Sequence, residues 1–179
     1  DLPDGGASHF AATVRAIRQN APGCKVELLI PDLAGDTKAL QIIMESGVDI
    51  LNHNIETVPR LYPKVRPIAS YERSLKILKA AKEIAPSCKT KSGIMVGLGE
   101  TKDEVLSVMD DMRLNDIDIM TIGQYLRPTQ KQVPVKTFVT PEEFAEYERI
   151  GLQKGFTFVE SSALVRSSYH AWKHTEKNA

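Results

Sequence analysis

Thr90-Lys-Ser-Gly-Ile-Met-Val-Gly-Leu-Gly-Glu100, followed at once by Thr101-Lys-Asp-Glu104, decides the fold. The first string reads as a strand running into a glycine-rich turn. The second is a capping box, in which a threonine and a glutamate three residues on satisfy each other's backbone N–H groups and start a helix. That helix is predicted to run to about Leu114, with Val105, Val108, Met109 and Met112 inward. Strand, tight turn and helix together form the repeating unit of a parallel α/β sheet.

The same grammar extends in both directions. Downstream, Ile117 to Leu126 reads as a strand with polar residues near its end, Thr140-Pro-Glu-Glu143 repeats the capping box with proline at the first helical position, and Phe156 to Glu160 is a last strand. Upstream, Ser70 is placed to cap a helix with Leu75, Ile77, Leu78, Ala81 and Ile84 on one face, stopped at Pro86. Val48 to Asn52 is a strand, Thr37 to Ser46 a helix closed by Gly47, and Lys25 to Pro31 a short buried strand. Phe10, Val14 and Ile17 mark a first helix, with Ser8 as its expected N-cap and Pro22-Gly23 as its stop. Thr57 to Pro67, with three prolines, reads as an ordered loop or short turns.

Four or five βα units imply right-handed crossovers and a parallel sheet whose strands end in polar clusters, where barrel-type α/β enzymes place their chemistry. Five strands are too few to close an eight-stranded barrel. The expected architecture is a partial (β/α) barrel over residues 1–160 whose first strands are missing from this chain, followed by a tail at 161–179.

The chain has 179 residues, with 23 Lys+Arg against 23 Asp+Glu. That balance argues against a general binder of nucleic acid or anionic membrane. No apolar run is long enough to span a bilayer. Two cysteines, Cys24 and Cys88, make neither a disulfide framework nor a four-cysteine metal site, and a reducing cytoplasm is the expected location.

Three clusters could carry chemistry. Gly93 to Glu100 would let backbone approach a ligand at Gly97 and Gly99, near a helix N-terminus; the alternative is a tight turn with no ligand. Asn52-His-Asn-Ile-Glu56 sets amides, an imidazole and a carboxylate at a strand end, suited to sugar hydroxyls or an ammonium group, or merely to capping a loop. Lys91 is a candidate Schiff-base lysine, or a partner for an acid or a carboxylate. Gln124 and Tyr125 end another strand, as ligand or packing residues. His170 and His174 share i,i+4 spacing without a third metal ligand.

Longer strings carry a resemblance. Asp1-Leu-Pro-Asp-Gly-Gly-Ala7, Asn52-His-Asn-Ile-Glu-Thr-Val-Pro-Arg-Leu-Tyr62, Thr90 to Thr101, Thr121-Ile-Gly-Gln-Tyr-Leu126 and Val165-Arg-Ser-Ser-Tyr-His-Ala171 together resemble the lipoyl synthase family of radical S-adenosylmethionine enzymes. The resemblance implies insertion of two sulfurs, at C6 and C8, into an octanoyl chain on a carrier-protein lysine. It implies S-adenosylmethionine and two 4Fe–4S clusters as cofactors. As partners it implies octanoylated E2 lipoyl domains, the glycine cleavage H protein, and an electron donor such as ferredoxin or flavodoxin.

By the same resemblance, Gly93 to Glu100 lies against adenine, Asn52, Asn54 and Glu56 near ribose and the amino-acid moiety, and Gln124, Tyr125 and Leu126 at the adenine-reading edge. The expected cofactor-binding set is Asn52, Asn54, Glu56, Lys91, Gly93, Gly97, Glu100, Gln124, Tyr125 and Leu126. In the tail, Ser168 is the expected oxygen ligand of the auxiliary cluster, with Arg166 beside it and Ser167 as the alternative. The family's two cysteine triplets lie upstream of the Asp-Leu-Pro string and are absent; Cys24 and Cys88 match neither. The chain alone is expected to be inactive. Rival readings are a catalytically silent binding module and a Schiff-base aldolase built on Lys91.

Overall fold

A computed structural model describes residues 2–175, so Asp1 and the last residues of the 161–179 tail lie outside the described residues. Five parallel strands, β1 (Glu27–Leu29), β2 (Ile50–Asn52), β3 (Lys89–Val96), β4 (Ile119–Gln124) and β5 (Phe158–Ser162), stand side by side in sequence order. The main helices are α1 (Ala7–Asn20), α2 (Thr37–Met44), α4 (Tyr71–Ile84), α5 (Lys102–Leu114) and α6 (Pro141–Gln153), with the one-turn α3 (Tyr62–Val65) in the loop after β2. Sequential strand order with right-handed crossovers puts every connecting helix on one face of the sheet. Leu51, Met120 and Ile122 meet Leu78, Val105, Val108 and Met109 there, all essentially solvent-free. The open sheet supplies five strands of a barrel wall, as expected of a partial (β/α) barrel.

Both capping boxes form, Thr101 with Glu104 and Thr140 with Glu143. Ser70 caps α4 by accepting from the Arg73 N–H. The start of α1 differs. Its N-cap is Gly6, in the left-handed region at φ 87°, and the Asp4 carboxylate accepts from the N–H groups of Gly6 and Ser8, both at 2.9 Å. Ser8 therefore lies inside the first turn, because an aspartate two residues ahead of the glycine is the better acceptor for these donors. Helix α1 buries Ala7, Ala11 and Val14 fully, while Phe10 and Ile17 pack only at the rim of the core.

Strand β1 is also less buried than its apolar residues suggest. It pairs on one side only, with β2, and Leu29 is 48% exposed.

The sheet's other face carries Asn52, Lys91, Ile119 and Phe158 in one register row. The tail crosses this face. His170 Nδ1 lies 3.2 Å from Glu160, the Lys89 ammonium donates to the carbonyl of His174 at 2.7 Å, and the His174 ring packs 5.4 Å from Phe158. The two histidines thus serve different neighbours, and the described residues contain no group of three metal-ligating side chains.

Candidate functional site

Parallel strands point their carboxyl ends the same way, and the polar residues there enclose a cleft of about 270 Å³. Asn54 and Glu56 come from the end of β2, Gly93 and Met95 from β3, Thr121, Gly123 and Gln124 from β4, and Leu126 from the loop beyond. Val165, Arg166 and Ser167 of the tail close it.

Glu56 is held by its backbone. Its N–H donates to the Gly93 carbonyl at 2.9 Å, and its own carbonyl accepts from Met95 N–H at 2.8 Å, so β2 resumes pairing with β3 for one residue. To do so it adopts φ 72°, a left-handed conformation that costs a side-chain-bearing residue and recurs at functional sites. Burial raises the Glu56 carboxyl above the usual carboxylate range, while the Arg66 guanidinium and the Asn54 amide oppose that rise. Arg66 donates to the Asn54 carbonyl at 2.9 Å, and the Tyr62 hydroxyl donates to Ile55 O at 2.6 Å, fixing the strand end from outside.

Asn54 keeps one atom in reserve: its side-chain carbonyl oxygen is buried with no hydrogen-bond partner. A buried acceptor left unmade is costly, which points to a donor supplied by a ligand. Gly93 lines the same cleft, and its missing side chain makes way for the Thr121 hydroxyl. A Cβ there would lie 2.3 Å from Thr121 Oγ1 and 3.2 Å from Asn54 Oδ1. A buried carboxyl group and an orphan amide oxygen at the end of β2 suit the hydroxyls or ammonium group of a small polar molecule.

The structure brings Asn54, Glu56, Gly93, Gln124, Leu126 and Arg166 to one cleft, and five of the other expected residues to other tasks. Asn52 is buried and donates to Glu27 Oε1 at 2.9 Å. Lys91, with no exposed surface, bridges both Glu27 oxygens at 2.9 Å; burial draws its pKa down, and the Glu27 charge works against that. Glu100 turns back on its own loop, accepting from Gly97 N at 2.5 Å and Leu98 N at 2.9 Å. Tyr125 donates to Val133 O at 2.8 Å. Gly97, at φ 99°, faces Gln124 and the carbonyl of Thr137. Ser168 is exposed outside the cleft, where Ser167 lines it.

Sequence reading missed Thr121, Met95 and Gly123. Strand periodicity could have found them, since residues two apart share a face and register places Thr121 beside Gly93 and Gly123 beside Met95. Cys88 is buried, its thiol pushed up to about 11 by desolvation, and Cys24 is exposed; both precede strands, at the end opposite the cleft.

The profile of the radical SAM superfamily matches residues 1–112. The chain belongs to that superfamily. Relatives of known name extend the match. The lipoyl synthase of Rubrobacter xylanophilus is 57% identical over 176 residues, 98% of this chain and 55% of its own length. That of Caldanaerobacter subterraneus is 57% identical over 96% of this chain and 60% of its own length. This chain thus spans little more than half the length of these relatives. Among solved structures, methylornithine synthase superposes with a TM-score of 0.63 at 18% identity, over 95% of this chain and 58% of that one, which bears out the partial-barrel fold. Radical SAM membership implies S-adenosylmethionine and 4Fe–4S chemistry. The cleft fits the first group. The described residues of this chain do not by themselves provide a cluster site, since Cys24 and Cys88 stand apart from the cleft.

Proposed function

We propose that the protein to which this chain belongs is a lipoyl synthase, inserting sulfur at C6 and C8 of an octanoyl chain carried on a protein lysine. The observation that carries this reading is 57% identity sustained over 98% of the chain to a lipoyl synthase. Its partners would be octanoylated E2 lipoyl domains or H protein and a small electron donor, and its location the cytoplasm. Among the described residues no helix is long and apolar enough to cross a membrane.

When bound, S-adenosylmethionine supplies the radical that attacks an unactivated C–H bond. The chain's own residues hold and shield it. Asn54 Oδ1 would accept from a ribose hydroxyl or the ammonium group, Glu56 would take a second donor, and Gly93 with the Thr121 hydroxyl beside it would line the wall the nucleoside lies against. Lys91 offers no free amine to a carbonyl substrate, being sealed against Glu27, which weighs against the aldolase alternative.

The decisive test is conversion of an octanoyl-lysyl peptide to its lipoyl form by the complete enzyme, with no product from the wild type overturning the reading. Within that assay, Glu56→Gln should weaken S-adenosylmethionine binding by about tenfold, the loss of one hydrogen bond to a charged group. The same variant should be more stable at neutral pH. A carboxyl raised by burial contributes stability below its unfolded pKa and loses it as pH rises through the folded value, so the neutral amide escapes that loss. A pH titration of the melting midpoint that is identical in wild type and variant would refute this account of Glu56.

The tail serines are separated the same way. Ser168 is proposed as the oxygen ligand of the auxiliary cluster, with Ser167, which reaches the cleft, as its rival. Ser168→Ala is expected to leave 5′-deoxyadenosine formation intact and abolish lipoyl product. Should Ser167→Ala show that split instead, the role passes to the residue facing the cleft.

A further inference from the structure

Charge is distributed unevenly over a chain that is neutral as a whole. The loop after β2, residues 57–70, and the loop after β4, residues 125–139, hold six Lys and Arg residues and no acid. The two loops meet over the glycine turn of β3. Arg60 donates to the Gly99 carbonyl at 2.9 Å from one side, and Lys136 N–H donates to the Gly97 carbonyl at 2.8 Å from the other. Arg60 is neutralised by a bidentate pair with Glu104. Lys64, Lys131 and Lys136 are exposed and make no ion pair among the described residues, and Arg127 donates only to backbone carbonyls. Between these cations Leu126 and Phe138 stand 51% and 71% exposed. Leu126 also lines the cleft, so the surface is continuous with the cleft's rim.

We propose that these two loops are the docking surface for the acyl-carrying protein, and that the face this partner brings to them around its acylated lysine is acidic. The inference rests on the lipoyl synthase reading, which supplies the fact that the substrate arrives on a protein. Unpaired cations around solvent-exposed apolar side chains, at the mouth of the cleft that the acyl chain must enter, match an acidic protein surface in charge and chemistry. A nucleic acid or an anionic lipid surface fits less well, because the remainder of the chain carries an acidic excess that offsets these loops. Rim charges of this kind act mainly on encounter rate and salt dependence.

The test is Lys131→Glu/Lys136→Glu in the complete enzyme, assayed on an octanoylated carrier protein and on a short octanoyl-lysyl peptide without acidic residues. The KM for the carrier should rise by about tenfold at low salt and converge on the wild-type value at high salt, with kcat unchanged. Peptide conversion should stay at the wild-type rate, and Lys76→Glu/Lys79→Glu, the same charge change on exposed α4 positions away from the two loops, should leave both substrates unaffected. An unchanged carrier KM, or equal losses on carrier and peptide, would overturn the docking surface while leaving the lipoyl synthase reading in place. Wild-type enzyme that converts neither substrate removes that reading, and this inference with it. Binding of the wild type to a single-stranded oligonucleotide or to phosphatidylserine vesicles, abolished by the reversal while carrier KM holds, would reassign the surface.

Discussion

Lys91→Met in the complete enzyme is expected to lower stability by about 3 kcal/mol, the low end of the cost of removing one partner from a buried ion pair. Lys91 has no exposed surface and grips both oxygens of a Glu27 carboxylate that is itself only 15% exposed. Methionine fills the stem's volume and leaves that charge facing Asn52, whose amide supplies a single hydrogen bond. The low end applies because Glu27 sits on the one-sided strand β1 and can recruit water. The companion double variant Glu27→Gln/Lys91→Met should recover to within about 1 kcal/mol of wild type, since a neutral amide still accepts from Asn52 and no buried charge remains. Urea midpoints of the three proteins decide it. If the double variant is no better than the single, the lysine matters for packing and not for charge.

The pair also shows how far the sequence could be read. Strand, turn and helix order, both capping boxes and the location of polar residues at strand ends follow from short-range rules, and the structure agrees in order and type, with strand bounds shifted by about two residues and the cap of α1 moved from Ser8 to Gly6. Depth along a strand does not follow from such rules. Lys91 and Gly93 share a face of β3, yet Lys91 lies two residues deeper, among Glu27, Asn52 and the tail, while Gly93 opens onto the cleft. Nothing local in Thr90-Lys-Ser-Gly93 separates these fates, because they are set by Glu27, 64 residues away. The course of the tail was illegible for the same reason. Residues 166–175 pass as a polar terminus until β3 and β5 supply Lys89, Glu160 and Phe158 for them to lie against.

At Gly97 the neighbour that requires glycine is the chain itself. A glycine at the turn reads as space for a ligand, but a Cβ there would lie 2.2 Å from Gln124 Nε2 and 2.4 Å from the Thr137 carbonyl. The space is already used by the chain itself. Gln124 donates to Thr137 O at 3.0 Å and accepts from Val139 N at 2.9 Å, so this amide pins the 125–139 loop against the turn. Gly97→Val should therefore cost about 2–5 kcal/mol, combining a left-handed φ for a β-branched residue with overpacking against backbone. Gly99→Ala isolates the two contributions. Its φ of 105° is as strained, but its nearest neighbour is the flexible Lys136 Cγ at 3.4 Å, so about 1–2 kcal/mol of conformational cost is expected and no displaced loop. Gly97→Ala, with a Cβ in the crowded position, should fall nearer the valine variant. In the complete enzyme the position 97 variants should lose thermal stability and S-adenosylmethionine cleavage together, because Gln124 and Leu126 leave the cleft with the loop, whereas Gly99→Ala should keep its cleavage activity. Equal losses from Gly97→Ala and Gly99→Ala in both measurements would show that backbone conformation alone, and not the contact with Gln124 and Thr137, sets the requirement for glycine at this turn.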